Sequence, residues 1–540
     1  MEYKRICRKA EKQSRKASKE KLMEIGMNDP KTFWNIVNKM NNWGKECTEE
    51  TEHIKPATWD EYFKKLLNKP NIGIPNLSQI PTFDPTLDGI ISLKELIDAL
   101  NQMKKNKAPG PDGILIEYLK AFGETFLGIL LKIIRQLFSR HVYPSAWTSN
   151  FLKPIYKKGD MEDPDNYRGL AVGSALAKLF SLILLNRLTK YIDAQSLISH
   201  NQIGFMKGAR TSDHIFLLQT IIDKVVKKNK NKLYIAFIDF SKAYDTVDRK
   251  MLFERLQSLG INGIFLRNIM AMYAKTNYKI KLKNGSLNPI CSNLGLKQGC
   301  PLSPMLFNLY IDDIKNIFDR KCDPINLQNE YLYHFLYADD LVLLSTSAQG
   351  LQRSLDKLGE YADRKCLTIS IKKSKTMIFN LSGRLEKTQF HIKDKPLEPV
   401  NTFCYLGFEI CPSGTVKHAM NTLHDKAMKA LRPLMGAIAK FDLPAKTAIK
   451  LFHTYISPII LHNVENWAVL TDKNLKDTNE RHFFKATDIS KTDMLHRKYL
   501  KYVLGLSKSS PNMAIYGETG EIPLSLKGYR LMLNYWKRLI

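Results

Sequence analysis

The stretch His334-Phe335-Leu336-Tyr337-Ala338-Asp339-Asp340-Leu341-Val342-Leu343-Leu344 constrains this chain more than any other. Two adjacent carboxylates stand between two short apolar runs rich in strand formers. That is the pattern of a hairpin whose two-residue turn is Asp339-Asp340. Both runs are apolar on both faces, which places the hairpin in a buried sheet. A tight Asp-Asp turn at a solvated tip is the alternative, since aspartate is a common turn residue. Like charges held together inside a sheet repel unless a cation neutralises them. The hairpin therefore calls for a third carboxylate on a neighbouring strand.

Leu233-Tyr234-Ile235-Ala236-Phe237-Ile238-Asp239-Phe240 supplies one. It reads as a second buried strand closing on an acid, and Ser241 to Val247 then turns into a helix. Hard oxygen donors converging from two strands suit Mg²⁺. Two such ions can activate an attacking oxygen and hold a leaving phosphate. Asp239, Asp339 and Asp340 are thus the candidate catalytic metal ligands, for two Mg²⁺ ions with Mn²⁺ as a substitute. Asp245 and Asp248 read as helix caps, because aspartate suits the positive end of a helix.

Other strings surround these acids. Lys104 to Gly113 (KKNKAPGPDG) is a basic loop with rigid turns, after a helix expected over 92–104 from the capping-box spacing of Ser92 and Glu95. Leu152 to Asp160 and Asn166 to Leu170 read as strand, basic turn, strand, with Lys157, Lys158 and Arg168 placed to meet a triphosphate. Gln202 to Thr211 (QIGFMKGART) is a glycine-bearing loop open to close approach by nucleic acid. Gly295 to Pro304 (GLKQGCPLSP) leads into a helix over 305–311. Leu367 to Lys375 carries Lys373 and Lys375, either of which could neutralise or protonate a leaving pyrophosphate.

Together these strings resemble the reverse transcriptases of LINE-type (non-LTR) retrotransposons, from about residue 104 to at least 410. The resemblance implies an α+β, right-hand polymerase fold of fingers, palm and thumb. The activity it implies is RNA-directed DNA synthesis from dNTPs, extending a DNA primer or target on an RNA template. It also assigns roles. Lys157 or Lys158, with Arg168, would grip the incoming nucleotide. The Phe240 carbonyl would be a further metal ligand, Tyr244 a gate against the ribose 2′-hydroxyl, and Gln298 and Gly299 would line the nascent base pair. Lys107, Gly204 and Phe205 would lie along the template. Tyr405, Leu406 and Gly407 would form the hairpin that grips the primer end, and Lys373 is favoured as the residue at the pyrophosphate. Gly169, Arg210 and Ser370 stand where relatives have Pro, Ser and Asn.

Charge fits such a partner. The 540 residues hold 82 Lys and Arg against 53 Asp and Glu, a net +29, which favours polyanions. Residues 1–21 carry nine Lys or Arg against three Glu and read as a basic arm, followed by a small amphipathic helix at Phe33, Trp34, Ile36 and Val37. The eight cysteines form no C-x-x-C pair, so neither a zinc knuckle nor a disulfide framework is indicated. No signal-peptide core and no apolar run of ~18 residues is present, so a soluble nuclear or cytoplasmic protein is expected. The expected division is a basic extension and linker over 1–88, fingers over 89–232, palm over 233–412 and a helical thumb and C-terminal region over 413–540. The reverse transcriptase core, fingers included, would span about 137–412. Buried helices are expected over 126–138 and, amphipathic, over 178–188. Lys426, Lys429 and Arg432 suit a duplex held by the thumb, with a solvated helix face as the equal alternative. With no endonuclease string, the chain reads as a fragment or truncated copy. A catalytically inactive nucleic-acid-binding relic of a mobile element is the alternative function.

Overall fold

The computed structural model describes residues 53–68, 83–467 apart from 284, 328 and 329, and 491–540, with single positions at 17, 20, 29 and 32. Apart from those single positions, the expected basic arm, the helix around Trp34 and the proline-punctuated stretch up to residue 82 lie outside the described residues.

The segment expected to be the palm is built on β3 (Leu233–Asp239), near the middle of a six-stranded sheet. The other strands are β5 (His334–Tyr337), β6 (Asp340–Ser345), β7 (Lys375–Phe379), β8 (Phe390–Ile392) and β9 (Lys395–Pro399), and the order is β8-β9-β7-β3-β6-β5. β6 and β7 both run antiparallel to β3. Side chains alternate between faces along a strand, and here both faces are covered. Ala236, Ile238, Leu341 and Leu343 join the cluster formed with α4 (Ala175–Gln195), α7 (Ser303–Ile311) and α8 (Ala348–Arg364). Ile235, Phe237, Val342 and Leu344 join a second cluster. Further members come from α5 (Thr211–Ile222), α9 (Lys417–Phe441), α10 (Ala445–Tyr455) and α11 (Lys491–Val503), among other segments. Double coverage explains why these strands read as continuous apolar runs.

The β5–β6 turn differs by one residue from the sequence reading. Asp340 is the first residue of β6, opposite Tyr337, so the two-residue loop is Ala338-Asp339. Ala338 takes the left-handed conformation there, with φ of 56°.

The fingers sheet draws on distant parts of the chain. β1 (Ser149–Tyr156) pairs antiparallel with β2 (Tyr167–Val172), as the strand-turn-strand pattern indicates. β4 (Asn277–Leu282) lies parallel beside β1, although it falls within the span expected to be palm. α1 (Pro56–Leu67) packs Trp59, Phe63 and Leu67 against Leu152, Tyr167, Tyr278 and Ile280. These apolar positions recur every four residues and form one helical stripe. A segment expected to be extension and linker is therefore a working part of the fingers. Gly169 belongs to the same packing, since a Cβ there would come to 3.0 Å from Phe63 and Leu152.

Helices elsewhere follow their apolar periodicity. α2 (Leu93–Gln102) carries the capping box of Ser92 and Glu95. α3 (Glu124–Arg140) is amphipathic rather than buried, with Ile129 and Ile133 exposed. α9 buries Ala427, Leu431, Leu434 and Ile438 and leaves Lys426, Lys429 and Arg432 exposed. α12 (Leu524–Leu539) is the last helix. Among the described residues no helix is long and apolar enough to cross a membrane.

Trp59 is fully enclosed, and emptying such a site costs about 3–5 kcal/mol. Trp59→Ala is expected to lower the first thermal unfolding transition of the chain. An unchanged melting curve would mean that α1 is not part of the folded fingers.

Candidate active site

β3 delivers Asp239 to the edge of a cleft, and a neighbouring segment holds it there. The Asp239 amide donates to Ser374 Oγ at 3.1 Å, and its carbonyl accepts from the Ser370 amide at 2.8 Å. Phe240 bridges Ile369, and the Ser241 amide donates to the Thr368 carbonyl at 2.7 Å. Residues 368–374 are thus zipped along the end of β3. That places Lys373 Nζ 3.6 Å from Asp239 Oδ2, while Lys375 turns away to Glu398 at 2.5 Å. Asp239 Oδ2 is itself buried and accepts no hydrogen bond.

Asp340 is the cross-strand partner of Asp239, which sets their Cα atoms about 5 Å apart. Asp339, in the turn, completes the group. Burial raises the Asp339 pKa, and the charge of Asp239 adds to the effect, against the lowering pull of Arg168 and Lys157. Desolvation, then the charges of Asp339 and Asp239, push Asp340 up to about 6, although the residue borders the open cleft. Hard oxygen donors, an unsatisfied buried carboxylate oxygen and mutual repulsion are the chemistry that a divalent cation relieves.

The loop at 201–204 supports the turn. Gln202, 2% exposed, accepts from the amides of Ala338 and Gly204, each at 2.9 Å, and donates to the Ala338 carbonyl at 3.2 Å. The Ile203 amide donates to Leu336 at 3.0 Å, and the Leu336 amide to Asn201 at 2.8 Å. A Cβ on Gly204 would lie 2.2 Å from the Ala338 nitrogen. Glycine is needed there because the acid-bearing hairpin comes so close, which corrects the expectation that it makes room for nucleic acid. Phe205 follows with φ of 61° and its ring 58% exposed.

Residues 155–410 match the family described as reverse transcriptase (RNA-dependent DNA polymerase). The retrovirus-related Pol polyprotein from type-1 retrotransposable element R2 of Popillia japonica is 27% identical over 79% of this chain. Its Drosophila melanogaster counterpart from the type-2 element R2DM is 24% identical over 83%, and the RNA-directed DNA polymerase from mobile element jockey, from the same fly, 21% identical over 71%. Over these residues the chain is similar to reverse transcriptases and to polyproteins and polymerases of mobile elements. The chain spans 56%, 40% and 42% of the lengths of these three relatives.

The β1–β2 hairpin lies close to the acids. Lys157 lies within electrostatic reach of Asp239 and Asp245. Burial lowers its pKa, and the nearby charges of Arg168 and Lys373 lower it further. Lys158 and Arg168 are exposed on the same β1–β2 hairpin. A contact missed by sequence reading joins this hairpin to the palm. Lys242 Nζ pairs with Asp165 at 2.5 Å and lies 4.6 Å from the Tyr62 ring centroid, and Tyr62 hydrogen-bonds Asp165. Asp165 is 63% exposed, so the pair contributes ~1 kcal/mol or less. It can hold fingers to palm without locking them.

The remaining expected residues divide between cleft and core. Tyr244 stacks on Phe307 at 4.7 Å, and its hydroxyl is buried with no hydrogen-bond partner. Asp248 caps α6 (Arg249–Ser258). Asp245 does not cap a helix; it accepts from Gln298 Nε2 at 2.7 Å, and desolvation raises its pKa to about 6. Gln298 is therefore tethered to Asp245 in this state, and its carbonyl accepts from the Ala171 amide at 2.7 Å. Gly299 takes φ of 122°, and a Cβ there would meet the Ala171 carbonyl at 2.4 Å. Lys107 lines a cavity of about 290 Å³ between its loop and the fingers, with Lys178 and the buried Lys297. Tyr405 is a correction. Its ring is 3% exposed, packs near Phe237 and sits 3.2 Å from His214 Nδ1 through its hydroxyl. At the tip of that hairpin Leu406 is half-buried and Gly407 exposed, with φ of 47° and 83°.

The raised carboxylates give a signed expectation. Groups that hold protons more tightly folded than unfolded stabilise the chain at low pH, and that stability is lost as pH rises from about 4 through about 6. Without metal at pH 7.5, Asp340→Asn is expected to melt above the parent. Mg²⁺ should raise the parent's Tm at pH 7.5 more than at pH 5.5, with little effect on the variant. A parent that melts no lower than the variant would refute mutual repulsion at the acids. Gly204→Ala should displace the hairpin and weaken the Mg²⁺-induced rise in Tm. A full response would show that the 2.2 Å approach is not required.

Proposed function

We propose that this chain is an RNA-directed DNA polymerase that extends a DNA primer on an RNA template with dNTPs. The observation that carries this reading is the meeting of Asp239, Asp339 and Asp340 at the adjacent ends of β3 and β6. The three acids and the Phe240 carbonyl would hold two Mg²⁺ ions, or Mn²⁺. Bound there, the ions supply the Lewis acidity that in-line attack of a 3′-hydroxyl on an α-phosphate requires.

The chain's own residues do the rest. Lys157 and Arg168 neutralise the triphosphate from the fingers, with Lys158 at the rim. Lys373, freed from Asp239 once the acids are otherwise neutralised, faces the departing pyrophosphate and shields or protonates it. Tyr244 is held rigidly by its stack on Phe307, so its ring presents a fixed wall to the sugar. Such a wall excludes a ribose 2′-hydroxyl and favours dNTPs. Lys107 and Phe205 border the template path, and Leu406 and Gly407 the primer end. Lys426, Lys429 and Arg432 face the duplex backbone from α9. An RNA–DNA hybrid is near A-form, so shape and phosphate contacts dominate that grip.

Primer extension on an RNA template with Mg²⁺ tests the reading. Asp339→Ala and Asp340→Ala should each reduce dNTP incorporation at least a thousandfold while binding of primer–template persists. Parental activity in Asp339→Ala would overturn the assignment. Nucleic-acid binding by the parent with no incorporation would favour the inactive relic. Tyr244→Ala should raise the use of rNTPs relative to dNTPs at least tenfold. An unchanged ratio would assign Tyr244 to packing alone.

A further inference from the structure

Away from the cleft, the C-terminal helices gather two imidazoles and a carboxylate that polymerisation does not use. His453 lies in α10, His496 in α11, and Glu521 in the turn before α12. One donor atom from each lies within 4.8 Å of the others. His453 Nε2 is 2.7 Å from Glu521 Oε2, and His496 Nε2 is 4.0 Å from the same oxygen. His496 is 0% exposed, and neither ring nitrogen has a hydrogen-bond partner. Its ring stacks on Phe452 at 5.0 Å and lies 5.9 Å from Tyr516. A buried polar group left unmet costs about 1–3 kcal/mol, and aromatic packing alone does not explain an imidazole rather than a phenyl ring there.

A cation already visits this place. Lys527 Nζ lies 3.1 Å from both Glu521 Oε2 and His453 Nε2. It leaves both nitrogens of His496 unmet, and its side chain, 30% exposed, has a path out to solvent. We propose that His453, His496 and Glu521 form a zinc site that fastens α10, α11 and the turn before α12 together. Two imidazole nitrogens and one carboxylate oxygen suit Zn²⁺ better than Mg²⁺ or Ca²⁺, and three protein donors leave a fourth position for water. Closing the triad from its present spacing to the ~3.3 Å between donors of a tetrahedral site requires only side-chain adjustment and withdrawal of Lys527. Because the donors come from three elements, binding is coupled to the docking of those elements.

The test uses the full chain in excess Mg²⁺, so that the palm acids are occupied by the harder ion. Equilibrium dialysis should find one tightly held Zn²⁺ per chain, and Co²⁺ in its place should give a tetrahedral visible spectrum. Because His496 is enclosed, Glu521→Gln and His453→Gln carry the test, once circular dichroism shows them folded. Each should bind Zn²⁺ at least tenfold more weakly and lose the Co²⁺ band. Lys527→Met, which removes the competing ammonium, should bind Zn²⁺ at least as tightly as the parent. Zn²⁺ should raise the Tm of the parent and of Lys527→Met but not of Glu521→Gln. Equal Zn²⁺ binding by parent and Glu521→Gln, or a six-coordinate Co²⁺ spectrum, would overturn the proposal. Loss of binding in Lys527→Met would show the cluster to be a lysine-centred ion network instead.

Discussion

Three carboxylates forced together at one edge of a sheet set the terms for the rest of the molecule. Unit charges ~4 Å apart at a protein surface repel by about 4 kcal/mol, and Lys373, 62% exposed, is a weak counterweight to three acids. The acids stay together because their backbones are not free to separate. Asp239 and Asp340 are tied by the β3–β6 ladder. Asp339 is tied by the turn that Gln202 grips through both the amide and the carbonyl of Ala338. The apolar clusters on the two sheet faces hold the ladder rigid. Packing energy is thereby stored as electrostatic strain, which a divalent cation would release.

The fingers are tied into the palm by the path of the chain itself. β4 leaves the palm, pairs with β1, and returns through the loop that carries Gln298 and Gly299. The buried Arg249 steadies that return by donating to the carbonyls of Tyr273, Ser292, Leu294 and Gly295. At the outer edge, Tyr62, Asp165 and Lys242 join α1, the fingers hairpin and the segment after Asp239. Its exposure makes this contact weak. The chain crossing through β4 thus joins fingers to palm deeply, and the Tyr62–Asp165–Lys242 contact joins them only at the surface.

Much of this architecture is legible in the amino-acid sequence. Apolar runs closing on acids locate β3, β5 and β6, because a strand buried on both faces leaves an unmistakable pattern. The Ser92–Glu95 capping box and the stripe Ala427, Leu431, Leu434, Ile438 locate α2 and α9, since helix periodicity is local. Roles that depend on a distant partner are not legible. Gly204 has the pattern of a residue that admits nucleic acid, and Tyr405 of one that touches it. The first is packed against Ala338, and the second is buried beside His214. Gln202 stands out in the sequence only as part of its string, yet it holds the turn that carries Asp339. Trp59 gives no signal of its place, because a four-residue apolar period names a helix but not the lobe that receives it.

The sequence by itself determined which residues are the candidates for chemistry, because carboxylates at the ends of buried apolar strands stand out against their neighbours. It also determined the local elements that present them, because alternation and helical period are written into neighbouring residues. Only the tertiary structure decided which backbone supports which acid, which strand completes the fingers, and that His453, His496 and Glu521 converge. Those relations join positions tens to hundreds of residues apart, and no local preference encodes a distance that the chain acquires only by folding.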